Sequence, residues 1–270
     1  MTRSNSLTVD QICRYLDQFA PTALAESWDN VGLLVGDRAA SVEKLMTCLT
    51  ITPEVVDEAL DQGADAIVAH HPLPFRALKR ITADDTVGRM LLRLIAAGVA
   101  IYSPHTGFDS AAAGINQQLA IGLGFTEIAP LKPADNPSLA PLGSGRYGKL
   151  AAPLTLAKFA AVVREFLKID YIQAVGDPEQ TIAQPAVACG AAGEFLSTAI
   201  TLSCDCLLLG ETNFHTSLEA KAHGVALVLV GHYASERFAV ETLASQLATD
   251  FPDLKCWASE RETDPITLLS

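Results

Sequence analysis

Three short stretches bring together side chains able to hold a cation or move a proton. His70-His71-Pro72 follows the apolar run Ala66 to Ala69. His105-Thr106-Gly107-Phe108-Asp109 follows Val99 to Ser103, and His232-Tyr233-Ala234-Ser235-Glu236 follows Val225 to Val230 and a glycine. Adjacent side chains on a regular strand face opposite ways, but where a strand breaks into a Pro-containing loop both imidazoles can turn into one cleft. His232 and Glu236 are four apart at the start of an expected helix, so they share one face, a spacing by which a single helix supplies two ligands. Asp109 could ligate or bridge metals, and His105 could orient water or act as acid and base. Imidazole mixed with carboxylate, without thiolate, suits Zn, Fe or Mn in a water-accessible site and not a closed structural zinc.

Each stretch also has a plainer reading. Two histidines can be satisfied separately by backbone carbonyls, Asp109 can cap the next helix, and Glu236 can complement a helix dipole. Two further strings invite attention. Gly143-Ser144-Gly145-Arg146-Tyr147-Gly148 matches a dinucleotide fingerprint letter for letter, yet no strand is expected before it and no helix after it, so it reads as a loop. Gly190-Ala191-Ala192-Gly193 joins an expected strand to an expected helix and could hold an anion on its amides, or be a tight turn.

The elements that must position these residues alternate. Thr8 and Gln11 form a capping box ahead of Ile12, Tyr15, Leu16 and Phe19 at helical spacing. Leu45 to Ile51 reads as a strand, Thr52-Pro53 opens a helix that Gly63 ends, and Ala64 to Ala69 is a buried strand. Thr86 to Ala97 is a helix and Val99 to Ser103 a strand. The pattern dissolves between Ala129 and Gly145 into prolines and glycines. We therefore expect a first α/β domain over 1–128, a linker over 129–145 and a second α/β domain over 146–270. The second half repeats the alternation, with helices over Thr155 to Leu167, His215 to Ala222 and Ala234 to Ala248.

Composition narrows the function classes. The 270 residues are 49% hydrophobic and 19% charged, a globular balance, with a net charge of −12. Such a charge disfavours a phosphate-contacting nucleic-acid binder. No apolar run is long enough to span a membrane, and Met1 to Ser6 leads into no hydrophobic signal region. Six scattered cysteines read as core residues of a reducing compartment, so a cytoplasmic location is expected; Cys204 and Cys206 fit strand alternation better than a zinc knuckle.

Taken in order, the motifs resemble the Nif-three-like dinuclear metal-centre family, whose members are often called GTP cyclohydrolase I type 2 homologs. The resemblance runs nearly end to end: Ser27-Trp28-Asp29-Asn30-Val31-Gly32-Leu33, the double-His segment, His105-Thr106-Gly107-Phe108-Asp109, Gly145-Arg146 with Gly148, Gly210-Glu211, and Gly231-His232 through Arg237. It implies two similar α/β domains with a two-metal site in the cleft between them, and a ring-like homohexamer built as a trimer of dimers. It also implies His70, His71, Asp109, His232 and Glu236 as ligands of two divalent ions. Gly107 stands where Asn is frequent in the family, Thr50 where Asp is, and Leu209 where Thr is; none of these is a ligand position.

The leading expectation is a hydrolase of a small molecule, with a nucleotide as the substrate class that the resemblance implies. Two metals about 3.5–4 Å apart would hold and acidify a water, with His105 and then Glu211 as proton carriers. The other is a non-enzymatic metal-binding or regulatory ring that contacts other proteins.

Overall fold

Caps and turns written into the sequence delimit the helices. The computed structural model describes residues 7–139 and 141–267, so the reading of Met1 to Ser6 lies outside the described residues. The chain begins α1 (Val9–Phe19), β1 (Gly32–Val35), β2 (Lys44–Cys48), α2 (Pro53–Gln62), β3 (Ala66–Ala69), α3 (Thr86–Ala96), β4 (Ala100–Ser103) and α4 (His105–Ser110). It continues α5 (Ile115–Gly122), β5 (Phe125–Ala129), β6 (Lys132–Pro133), β7 (Gly143–Ser144), β8 (Arg146–Leu150), β9 (Leu154–Thr155), α6 (Leu156–Leu167) and β10 (Gln173–Val175). It ends β11 (Thr181–Ile182), β12 (Pro185–Ala191), α7 (Leu196–Thr201), β13 (Cys206–Glu211), α8 (Phe214–His223), β14 (Ala226–Leu229), α9 (His232–Asp250) and β15 (Lys255–Ala258). The Thr8–Gln11 capping box forms, Thr52 caps α2 with Pro53 in its first turn, and Gly63 ends α2 in the left-handed conformation.

Packing divides the chain into two α/β units, 1–108 with 239–270, and 109–238. The first is a five-stranded sheet ordered β1-β4-β3-β2-β15, parallel except where β1 pairs with β4. Met46, Ile67 and Ile101 from three central strands pack with Val55 of α2 and Leu91 and Leu94 of α3. Because β3 is buried along its whole length, its sequence reads as a continuous apolar run; β4, equally buried, ends in Tyr102 and Ser103, whose hydroxyls are hydrogen-bonded.

The second unit is a six-stranded sheet ordered β10-β14-β13-β12-β8-β5, with β12, β13 and β14 mutually parallel and the flanking strands antiparallel. Its core gathers Leu207, Leu209 and Leu227 from the sheet with Leu196, Ala199 and Ala220 from the helices.

The division corrects the expected boundary at 129–145. Residues 125–129 pair with β8 and so belong to the second sheet, while β15 returns to extend the first sheet beside β2. The Pro-rich stretch contains the β6–β7 pair and serves as a connection within the second unit. The string 143–148 is likewise not a loop: it forms β7 and the start of β8. Arg146 there is 1% exposed, and its guanidinium donates to the carbonyls of Ser110, Ala111, Gly143 and Gly145 and to the Gln117 side chain. This string holds the fold together through a buried cation whose donors are satisfied mainly by main-chain oxygens.

Candidate metal centre

The first unit gathers imidazoles. The ladder of β3 runs on past the strand: His70 N–H donates to Cys48 O at 3.0 Å and His71 N–H to Leu49 O at 2.8 Å. Ser103 Oγ donates to His70 O at 2.7 Å, joining that turn to the end of β4. His105 opens α4 directly after β4, and its ring lies 5.2 Å from that of His70 and 5.5 Å from that of His71, centroid to centroid. One ligand atom from each of His70, His71 and His105 falls within 4.8 Å of the others. These positions are at the carboxyl ends of parallel strands, where α/β folds build their sites.

Thr50 and Asp29 orient the rings of His71 and His105. Thr50 Oγ1 lies 2.7 Å from His71 Nδ1, so Nε2 is the nitrogen that can face a cation. His105 Nδ1 lies 2.7 Å from Asp29 Oδ1, whose second oxygen accepts from the backbone and hydroxyl of Thr106. Burial opposes the Asp29 charge, but the hydrogen bonds from His105 and Thr106 outweigh it and hold the carboxyl at about 2. His105 takes a φ of +27°, a conformation rare outside glycine, at the residue whose ring carries this contact.

The second unit gathers carboxylates and one imidazole. His232 begins α9 after β14 and Gly231, and its Nε2 lies 3.3 Å from Glu236 Oε2 one turn on. Its Nδ1 lies 2.9 Å from Glu211 Oε1 at the end of β13. The bond to buried Glu236, helped by Glu211 and opposed by burial, raises the His232 pKa to about 9. Oxygens of Asp109 and Glu236 fall within 4.8 Å of each other. Ser235 Oγ accepts from Gly190 N and donates to His232 O, fixing the first turn of α9 against β12.

Gly190 makes the close approach possible. Its φ is +70°, and a Cβ there would stand 2.5 Å from Glu236 Oε1. The anion reading of Gly190 to Gly193 does not fit its surroundings. The Gly190 amide is engaged by Ser235, and Glu194, Glu211 and Glu219 line the surface cavity of about 730 Å³ beside the turn.

The donors suit hard or borderline divalent ions bound through nitrogen and oxygen. Cys189 lies beside Asp109 but offers no thiolate: burial and the nearby Asp109 and Glu236 carboxylates push its thiol well up, and it donates to Asp109 Oδ1 at 3.2 Å. Among the described residues the cysteines form no disulfide, and no helix is long and apolar enough to cross a membrane.

The family model Duf34/NIF3 (NGG1p interacting factor 3) matches residues 7–265. The chain belongs to the Duf34/NIF3 family. A Clostridium acetobutylicum relative, named GTP cyclohydrolase 1 type 2 homolog, is 34% identical over 90% of this chain and 90% of its own length. The Schizosaccharomyces pombe Protein NIF3 homolog is 33% identical over 91% of this chain and 92% of its own. The crystal structure of Staphylococcus aureus protein SA1388 superimposes with a TM-score of 0.87 at 27% identity, covering 97% of this chain and 99% of that one.

In this Duf34/NIF3 chain several partners of the candidate residues were not legible beforehand. Asp29 lies within the Ser27 to Leu33 motif, yet nothing in its spacing pairs it with His105, 76 residues away. Glu262 accepts from the amides of Leu49 and Thr50, which sets the Thr50 hydroxyl against His71. Asn116 donates to Asp109 O and accepts from Cys189 N, joining the Asp109 turn to β12. Asp29 and Glu262 sit in polar stretches, where nothing local ties them to the histidines.

Proposed function

We propose that this chain is a hydrolase dependent on two divalent metal ions, acting on a small molecule. His70 and His71 of the first unit and Asp109, His232 and Glu236 of the second would serve as ligands to Zn, Fe or Mn. The bound ions would lower the pKa of water and stabilise negative charge developing on the substrate. The observation that carries the reading is the grouping of His70, His71 and His105 within ligand distance while His105 is also paired with Asp29. An imidazole backed by a buried carboxylate is built to take and return a proton. His105 is therefore the proton carrier, accepting at Nε2 while Asp29 stabilises the resulting imidazolium at Nδ1. Glu211 holds the His232 ring and, being exposed, can pass protons to solvent.

Chain path supports joining the two sets of ligands. Phe108, the last residue of the first unit, packs 6.2 Å from the His70 ring, and Asp109 follows it directly. The chain crosses between units inside α4 and again inside α9, the helices that carry Asp109 and the His232–Glu236 pair. The name of the Clostridium acetobutylicum relative, GTP cyclohydrolase 1 type 2 homolog, points to nucleotides as a substrate class. A homohexamer would cover exposed apolar side chains such as Phe214, Leu218 and Ile121, and a cytoplasmic location fits six cysteines without a disulfide.

The test is turnover of a nucleotide panel by protein stripped of metal and then reloaded with Mn, Fe or Zn. Metal-dependent hydrolysis, abolished by His71→Ala, is expected; equal rates with and without metal would end the proposal. His105→Asn should keep the metal and lose about 10²- to 10⁴-fold in kcat. A non-enzymatic ring would instead bind the ions, turn over nothing in a broad screen, and retain a stable protein partner.

A further inference from the structure

Beside the imidazole cluster the first unit exposes two large aromatic rings. Trp28 is 61% exposed and Phe75 49%, and their centroids are 6.1 Å apart at an interplanar angle of 45°. Both pack edge-on against His105, Trp28 at 6.1 Å and Phe75 at 5.9 Å. Trp28, Asn30, Phe75, Arg76 and Ala77 line a cavity of about 530 Å³, within the size range of small-molecule sites. The rings are held in place: Asn30 donates through Nδ2 to Pro74 O at 2.8 Å, tying the Trp28 loop to the Phe75 loop. Leaving two such side chains in water forgoes burial, and doing so at the rim of a polar cluster gives a stacking surface.

Charge selects among flat ligands. On a chain of net charge −12, the Phe75 loop carries Arg76, Lys79 and Arg80 within five residues, all exposed. Of the nearby acidic groups, Asp29 is committed to His105 and Thr106, and Asp85 caps α3. A flat ring with a pendant anion fits both features, the ring on Trp28 and Phe75 and the anion on Arg76, with Lys79 and Arg80 adding to the local field.

We infer that Trp28, Phe75 and Arg76 form the recognition subsite for a nucleotide-like substrate, a heteroaromatic base bearing a phosphate, held next to His105. The inference rests on the hydrolase reading for what is done to that ligand, but binding itself needs only the first unit's side chains. Stacking tolerates any base, so AMP and GMP should bind within a few-fold of each other.

The experiment is calorimetric titration of the full chain, as purified and metal-stripped, with AMP, GMP, guanosine and ribose 5-phosphate. We expect both nucleotides to bind at least about tenfold tighter than ribose 5-phosphate, and Trp28→Ala or Phe75→Ala to weaken them about five- to a hundredfold. Trp28→Phe should retain most of the affinity. Arg76→Gln should weaken AMP about tenfold and leave guanosine unchanged. These exposed positions carry little of the core, and circular dichroism should show each variant folded. Equal binding of ribose 5-phosphate, or nucleotide binding unaffected by Trp28→Ala and Phe75→Ala, overturns the inference. So does a change of oligomeric state in those variants with unchanged nucleotide affinity, which would make the patch a subunit contact. Trp28-sensitive binding without metal-dependent turnover would sink the hydrolase reading alone.

Discussion

The hydroxyl of Thr50 stands 2.7 Å from Nδ1 of His71. With Nε2 of His71 on a cation, Nδ1 carries the proton and donates to Thr50, which fixes both tautomer and ring orientation. Thr50→Val keeps the shape and removes the acceptor. Metal affinity should fall about 10- to 100-fold in competition with a chromophoric chelator. Glu262→Gln, acting through the Thr50 amide, should give a smaller loss; affinity unchanged in both variants would remove Thr50 from the site.

Asp29 makes a pH-dependent contribution of known sign. Its carboxyl sits at about 2 in the folded chain, below its ordinary range, because bonds from His105 and Thr106 outweigh burial. A depressed pKa stabilises above roughly pH 4, and the stabilisation disappears as pH falls through about 2. Asp29→Asn should cost on the order of 2 kcal/mol near neutrality in urea unfolding, and the gap from the parent should narrow below about pH 4. A gap independent of pH would show that packing, not charge, is lost.

His232 has the opposite sign. Its pKa of about 9 means the stabilisation is fully present below roughly pH 6.5 and fades as pH rises through about 9. In metal-stripped protein its ring should titrate by NMR near that value. Glu236→Gln should lower it more than Glu211→Gln. The Glu211 contact is shorter, 2.9 Å against 3.3 Å, but Glu236 is only 3% exposed and less screened. A cation must displace this proton, so affinity for added Zn or Mn should climb with pH up to about 9.

Gly190→Ala tests the space kept for Glu236. The new methyl would stand 2.5 Å from Oε1 and 3.5 Å from His232 Nε2, at a backbone φ of +70°. The carboxylate must move, and the left-handed conformation costs about 1–2 kcal/mol. We expect a folded chain, by circular dichroism, with metal content reduced at least tenfold. Full occupancy would place Glu236 outside the ligand set.

The alternation of helices and strands, their caps and the helix face shared by His232 and Glu236 were legible in the residues, because these depend on neighbours within a few positions. Four apolar residues at β3 followed by two histidines and a proline state locally that a buried strand ends in imidazoles. The strands β5 and β15 at sheet edges, and β8 beside β5, were not legible. They are short and mixed in burial, and their pairing energy comes from partners far along the chain. For the same reason the expected linker at 129–145 became a connection inside the second unit.

The amino-acid sequence alone determined which side chains are available and which lie at strand ends, since period and turn chemistry are local. Tertiary structure alone decided that Asp29 meets His105, that Thr50 and Glu262 stand behind His71, that Cys189 donates to Asp109, and that Gly190 must lack a side chain. Those pairings join residues brought together only when sheets form and their cores close, and no short-range pattern records which turns will then face one another.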